Sequence, residues 1–167
     1  MHRAIKTFLL AAALSIFPVL SHSQDDLRIS EMSKLDLGYM QQQRDLIGTL
    51  VASEYGRRFQ QVKPNDLELL QRILDDELVG PDQTRELQAM GVVMGDLLAN
   101  ELDLHWVIYE DRLGRSRALR YRETDAYLFP MTMIARRHEA GNTESVEDIY
   151  ARAEAAMRSA MPPLPYH

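Results

Sequence analysis

The chain has 167 residues, no cysteine, and 19 basic against 25 acidic residues, for a formal net charge of −6. The absence of cysteine excludes disulfides, thiol nucleophiles, thiolate-bound metals and a lipid-modified N-terminal cysteine. The acidic balance argues against bulk nucleic-acid binding.

The N-terminus reads as a secretory signal. His2, Arg3 and Lys6 precede an apolar run from Phe8 to Leu20, and Ser21-His22-Ser23 supplies small residues for a cut before Gln24. The run is too short to span a bilayer, which takes about 20 residues; an uncleaved anchor is the competing reading. The expected division is a signal peptide over 1–23, a flexible segment over 24–34, a single domain over 35–160 and a Pro-rich tail over 161–167. No later segment has the length and apolarity of a membrane span. The expected product is periplasmic and carries 17 basic and 25 acidic residues, because only Arg3 and Lys6 leave with the signal.

Leu35, Tyr39, Leu46, Leu50 and Tyr55, with Ile47 and Val51 alongside, recur at helical spacing and predict a helix from near Leu37 to Arg58, with Gln41-Gln42-Gln43 on its solvated side. Pro64-Asn65-Asp66 opens a second helix with a stripe of Leu67, Leu70, Ile73, Leu74 and Leu78. Its Asp75-Asp76-Glu77 run does not converge on an ion, since adjacent helical side chains diverge by about 100°. Gly80-Pro81 ends that helix and starts a third, with proline expected at its first position. Leu87, Met90, Met94, Leu97 and Leu98 form the inner face of the third helix. Gly91 and Gly95, one turn apart, predict close approach of another element. Asp96 beside this notch is either solvent-facing or bonded to backbone or to an arginine of the hairpin.

Leu104 to Tyr109 is dense in β-branched and aromatic residues and predicts a central strand. Asp111-Arg112-Leu113-Gly114 predicts a hairpin loop of three to four residues closed by a left-handed glycine. Arg115 to Arg122 is the return strand, and Asp125 to Phe129 a third strand stopped by Pro130. Met131 to His138 is a short helix or a last strand segment, with Pro130 and Gly141 favouring the helix. Ser145 caps a final helix whose inner face is Val146, Ile149, Tyr150, Ala153 and Met157. The fold class is therefore α+β: N-terminal helices packed on a small antiparallel sheet of about three strands, followed by a C-terminal helix.

Charge is uneven. Seven arginines and two acids lie between Arg112 and His138, a balance of +5. Strand alternation puts Arg115 and Arg117 on one face and Arg120 and Arg122 on the other. Two readings follow. The arginines are a solvated face paired with Asp111, Glu110 and nearby acids, or they bind an acidic protein or an anionic envelope component bearing phosphate or carboxylate. Arginine suits the second role because its fork grips such groups through two bonds.

Catalytic signals are sparse. Gly-x-Ser-x-Gly, a glycine-rich phosphate loop and His-Glu-x-x-His are all missing. His105, Glu110 and Asp111 are the weak candidates for acid–base work, as in an envelope hydrolase acting on sugar or cell-wall material. Glu110 and Asp111 point to opposite strand faces, a poor arrangement for a glycosidase pair. Trp106, Tyr109, Tyr121, Tyr127 and Phe129 are core candidates, or in part a sugar-stacking platform. No metal site and no cofactor are read from the sequence.

Leu87-x-x-x-Gly91-x-x-x-Gly95-Asp96, Leu104-x-Trp106-Val107, Asp111-x-x-Gly114-Arg115, Leu119-Arg120-Tyr121 and Phe129-Pro130-x-x-Met133-Ile134-x-x-Arg137 occur in order. Together they resemble an uncharacterised bacterial domain family of unknown function, common in small proteobacterial proteins. The resemblance runs from about Leu67 to Tyr150. It implies a small mixed helix-and-sheet domain with Gly91, Gly95, Trp106, Gly114 and Pro130 as structural positions, and brings no activity. At Leu102-Asp103-Leu104 the chain departs from it, where a glycine is expected. The leading expectation is an exported, non-enzymatic binding module that contacts its partner through Arg115, Arg117, Arg120 and Arg122.

Overall fold

The computed structural model describes residues 27–162. The segment expected to be a signal peptide and most of the expected Pro-rich tail lie outside these residues. The chain order is β1 (Arg28–Glu31), α1 (Lys34–Tyr55), α2 (Lys63–Asp75), α3 (Thr84–Leu102), β2 (Leu104–Asp111), β3 (Gly114–Tyr121), β4 (Tyr127–Leu128), a 3-10 turn (Pro130–Thr132), α4 (Met133–Glu139) and α5 (Val146–Ala160). The four strands form one antiparallel sheet in the order β1-β2-β3-β4. This is the α+β architecture expected, with β2 central and a helix at the C-terminal end.

The extra strand is β1. It lies where a loosely ordered leader was expected and pairs Arg28 with Glu110 and Glu31 with Val107. A capping box then starts α1 at Lys34, three residues earlier than the apolar spacing predicts. The Ser33 hydroxyl accepts from the Asp36 N–H, and the Asp36 carboxylate accepts from the Ser33 N–H.

That start fixes which face of α1 turns inward. The buried residues are Asp36, Met40, Gln43, Ile47 and Val51, at helical spacing. Leu35, expected in the stripe, is 87% exposed, and Gln43, expected in solvent, is 2% exposed. The cause is Asp36, whose carboxylate is held under the sheet and sets the helix rotation.

The third helix begins at Thr84 instead of Pro81, which lies in the preceding turn. Its residues Leu87, Met90, Met94 and Leu98 are fully buried; each such side chain contributes about 1.5–3 kcal/mol. A Cβ at Gly91 would sit 2.5 Å from the Pro130 carbonyl oxygen and 2.7 Å from Met131 Cα. At Gly95 it would sit 2.5 Å from the Trp106 ring. The notch therefore seats Trp106 of β2 and the 3-10 turn that follows β4. One main core joins α1, α2, α3, α5 and the sheet, from Ile47 to Met157.

Alternation divides the sheet. Leu104, Trp106, Ile108, Leu119, Tyr121 and Leu128 share one face, against which α3 packs. His105, Val107, Tyr109, Ala118, Arg120 and Tyr127 share the other. There Tyr109 makes edge contacts with Tyr127 and Phe129, centroids 5.1 and 5.2 Å apart. The hairpin ladder runs to Asp111↔Gly114, leaving a two-residue loop, shorter than expected. Gly114 has φ +133°, a value that L side chains rarely adopt. Asp111 Oδ1 accepts from the Leu113 and Gly114 N–H groups at 2.8 and 3.2 Å. Asp103 ends α3 at φ 54°, ψ 47°. That left-handed geometry explains why a glycine was expected there.

Candidate functional site

Asp36 organises the arginine hairpin. Arg115 donates to its Oδ2 at 2.7 Å and Arg117 to its Oδ1 at 2.9 Å. The Ser33 hydroxyl donates to Oδ2 at 2.6 Å. The Arg115 bond, and then the Ser33 bond, hold the buried Asp36 carboxyl well below the usual carboxylate range. The same bond raises the Arg115 guanidinium. Arg117 also stacks over the Tyr39 ring, 4.0 Å from its centroid. The partner of both arginines is thus an aspartate on α1, roughly eighty positions upstream, instead of Glu110 or Asp111.

The four hairpin arginines do not form one free ribbon. Arg115 and Arg117 share the Asp36 carboxylate. Arg120 is spent locally, on the Thr124 carbonyl at 2.7 Å and Glu123 at 3.0 Å. Arg122 leaves the strand with φ 47° and lies over the Tyr121 ring. It therefore does not share a strand face with Arg120.

Arg115 and Arg117 line an open groove of about 630 Å³. Tyr39, Tyr109, Phe129 and Arg136 also line it. Arg136, on α4, is exposed and has no hydrogen bond or ion pair among the described residues. Of the three guanidinium groups here, Arg115 and Arg117 share Asp36, and Glu110 stands opposite Arg115 across the strands, while Asp111 caps the turn; Arg136 alone among the three has no carboxylate partner among the described residues. Arg117 Nε is buried without an acceptor.

The groove exists because the β3–β4 ladder stops early. Leu119 pairs with Leu128 and Arg120 with Tyr127. Extending that register would place Pro130 opposite Arg117. Proline has no N–H to donate, so the ladder ends there and the chain turns into α4. Tyr121 donates its N–H to the Ala126 carbonyl. By antiparallel alternation the N–H and C=O of Arg115 and Arg117 also point toward the β4 side. No strand among the described residues covers them there.

The weak catalytic candidates are not brought together. His105 is exposed and lines a separate small groove with Arg44 and Trp106. Asp111 shares its sheet face but lies six residues along the strand, roughly 20 Å away at about 3.3 Å per residue. Glu110 is on the opposite face. Among the described residues, no group of three His, Asp or Glu side chains is placed to hold a metal ion.

Two polar arrangements escaped the sequence reading. Asp96 accepts two bonds from Arg44 of α1, at 2.7 and 2.9 Å, and one from Trp106 Nε1 at 3.0 Å. It links α1, α3 and β2, and its partner is not a hairpin arginine. The buried Asp66 accepts the Gln60 and Gln61 N–H groups at 2.9 and 2.8 Å and latches the loop before α2. The Ser33-x-x-Asp36 spacing was the signal available for the capping box. Nothing local marks Arg44 as the partner of Asp96, 52 positions away.

The molecule is a helix-clamped antiparallel sheet with a cationic groove at its interrupted edge. The chain belongs to the family described as Domain of unknown function (DUF3806), which matches residues 66–150. The match begins in α2 and ends in α5, so β1, α1 and Asp36 lie outside it. A search of the curated proteins finds no relative of this chain. Among solved structures, a protein from Bacteroides thetaiotaomicron VPI-5482, whose crystal structure was determined at 1.50 Å, is similar in fold with a TM-score of 0.68. It is 21% identical, and the alignment covers 76% of this chain and 47% of that one. The chain therefore spans about half the length of that neighbour, and the likeness shows the fold alone. No helix among the described residues is long and apolar enough to cross a membrane.

Proposed function

We propose that the chain is a non-enzymatic binding module, exported to the periplasm by its first 23 residues, whose partner is an acidic protein or an anionic envelope component. The observation that carries this reading is the groove beside β3. Arg136 is unpaired in it, and Arg115 and Arg117 share one carboxylate. Arg120 and Arg122 flank this surface and do not line the groove. Separation of His105 from Asp111 removes support for an acid–base pair in a hydrolase.

Affinity capture from an envelope fraction tests the reading, at low and high salt, with the wild type and an Arg136→Glu variant. Arg136 has no partner to lose, so charge reversal there leaves the fold intact. Reversal at Arg117 or Arg120 would instead break internal pairs. A partner captured at low salt, released at high salt and missed by the variant supports the proposal. Capture that ignores both salt and Arg136 rejects it. Export is tested by the N-terminus of the protein recovered from the periplasm, which should be Gln24.

A further inference from the structure

Resting on that reading, we infer that the groove takes an extended acidic peptide, added as a strand to the exposed edge of β3 at Arg115 and Arg117. Three observations converge. First, the edge is a template. Pro130 ends the β3–β4 ladder at the register position opposite Arg117, and the main-chain groups of Arg115 and Arg117 face the groove with no strand partner among the described residues. Unpaired edges of this kind accept extended peptides, with main-chain bonds giving affinity and alternate side chains giving specificity.

Second, the charge selects an acidic occupant. Arg136 has no hydrogen bond or ion pair among the described residues and stands on the far wall, where a peptide carboxylate can meet it, and Arg115, half-exposed at the edge, adds a second cation. A second copy paired edge to edge would set each cationic groove against its own image. Like charges directly opposite across strands are destabilising, which disfavours a symmetric pairing of this edge. Third, the walls provide apolar contacts. Tyr109 and Phe129 line the groove, and Leu113 at the hairpin tip is 97% exposed. A strand alternating acidic and apolar side chains fits both requirements.

The probe is a fluorescein-labelled synthetic peptide of alternating valine and glutamate, beside a lysine-for-glutamate counterpart. Two further forms carry backbone N-methyl groups on one alternate set of residues or on the other. Binding is followed by fluorescence anisotropy, and backbone amides by NMR hydrogen exchange. The glutamate peptide should bind and the lysine peptide should not. Arg136→Ala should weaken binding about tenfold, the scale of one charge-assisted contact. Methylation of one alternate set should abolish binding, and methylation of the other should leave it. The Arg115 and Arg117 amides should gain protection, whereas Ser116, whose N–H points to β2, should not change.

Equal binding of both methylated forms, with Arg136 dependence retained, would overturn strand addition and leave the anion-binding function standing. Absence of binding by the glutamate peptide to folded wild-type protein would also overturn it, and salt-sensitive capture would then judge the broader reading separately.

Discussion

Alanine at Gly91 and alanine at Gly48 are the same chemical change with opposite expected outcomes. Both positions lie inside helices, where alanine is favoured over glycine by about 1 kcal/mol. At Gly48 nothing lies within 4 Å of the added Cβ, so that gain is kept. At Gly91 the added carbon meets the backbone of the 130–131 segment: the Pro130 oxygen at 2.5 Å, Met131 Cα at 2.7 Å and the Met131 oxygen at 2.9 Å. No rotamer change relieves these contacts. The 130–132 turn must move away from α3 by close to an ångström. Overpacking of this kind costs about 1–3 kcal/mol, or more where backbone must shift. The net expectation is a loss of up to about 2 kcal/mol for Gly91→Ala and a gain of about 1 kcal/mol for Gly48→Ala. At about 2–4 °C per kcal/mol, thermal melts should separate the two by roughly 2–12 °C. Equal stabilisation of both variants would show that α3 and the turn do not touch, and the account of the glycine notch would fail.

Other expectations follow from the polar geometry. Asp36→Asn should cost about 2–3 kcal/mol at neutral pH, below the 3–5 of a fully buried pair because Arg115 stays half-exposed. The folded-state pKa of Asp36 is depressed, so its stabilisation is present above the unfolded value of about 3.9 and fades as pH falls through the lower folded value. Urea melts should therefore show the wild type losing more stability than the variant on acidification below about pH 4; parallel losses would count against the clamp. Trp106→Phe removes the Nε1–Asp96 bond and also the Cζ2 and Cη2 atoms that fill the Gly95 notch, so chemical denaturation should report a loss of about 2–3 kcal/mol. Asp103→Gly relieves a left-handed backbone and should raise stability by about 0.5–1 kcal/mol in the same assay; destabilisation would mean the Asp103 side chain has a role the backbone argument misses.

Some of this molecule was legible in sequence because the relevant signals are local. The hydrophobic periods of α2, α3 and α5, the β-branched run of β2, the Asp-x-x-Gly turn and the proline stop after β4 depend on neighbouring residues. Local sterics and patterning therefore placed most helices, three strands and the α+β class. The Gly91–Gly95 spacing announced a close approach without naming what approached. Boundaries were poorer where a cap competed with hydrophobicity. Ser33 and Asp36 set the start and rotation of α1 against the pull of Leu35 and Leu37.

Charge pairing was the part that sequence alone left open. The cluster of arginines between residues 112 and 138 was evident from composition, but their neutralisation depends on side chains far along the chain. Asp36 reaches Arg115 and Arg117, and Arg44 reaches Asp96, only because packing of α1 across α3 brings them together. The donors and the periodicity are properties of the chain itself; tertiary structure decided which guanidinium groups are spent internally and which edge stays open. The reason is range. Helix and strand signals act over a few residues, whereas an ion pair requires two chosen points of the fold to meet within about 4 Å.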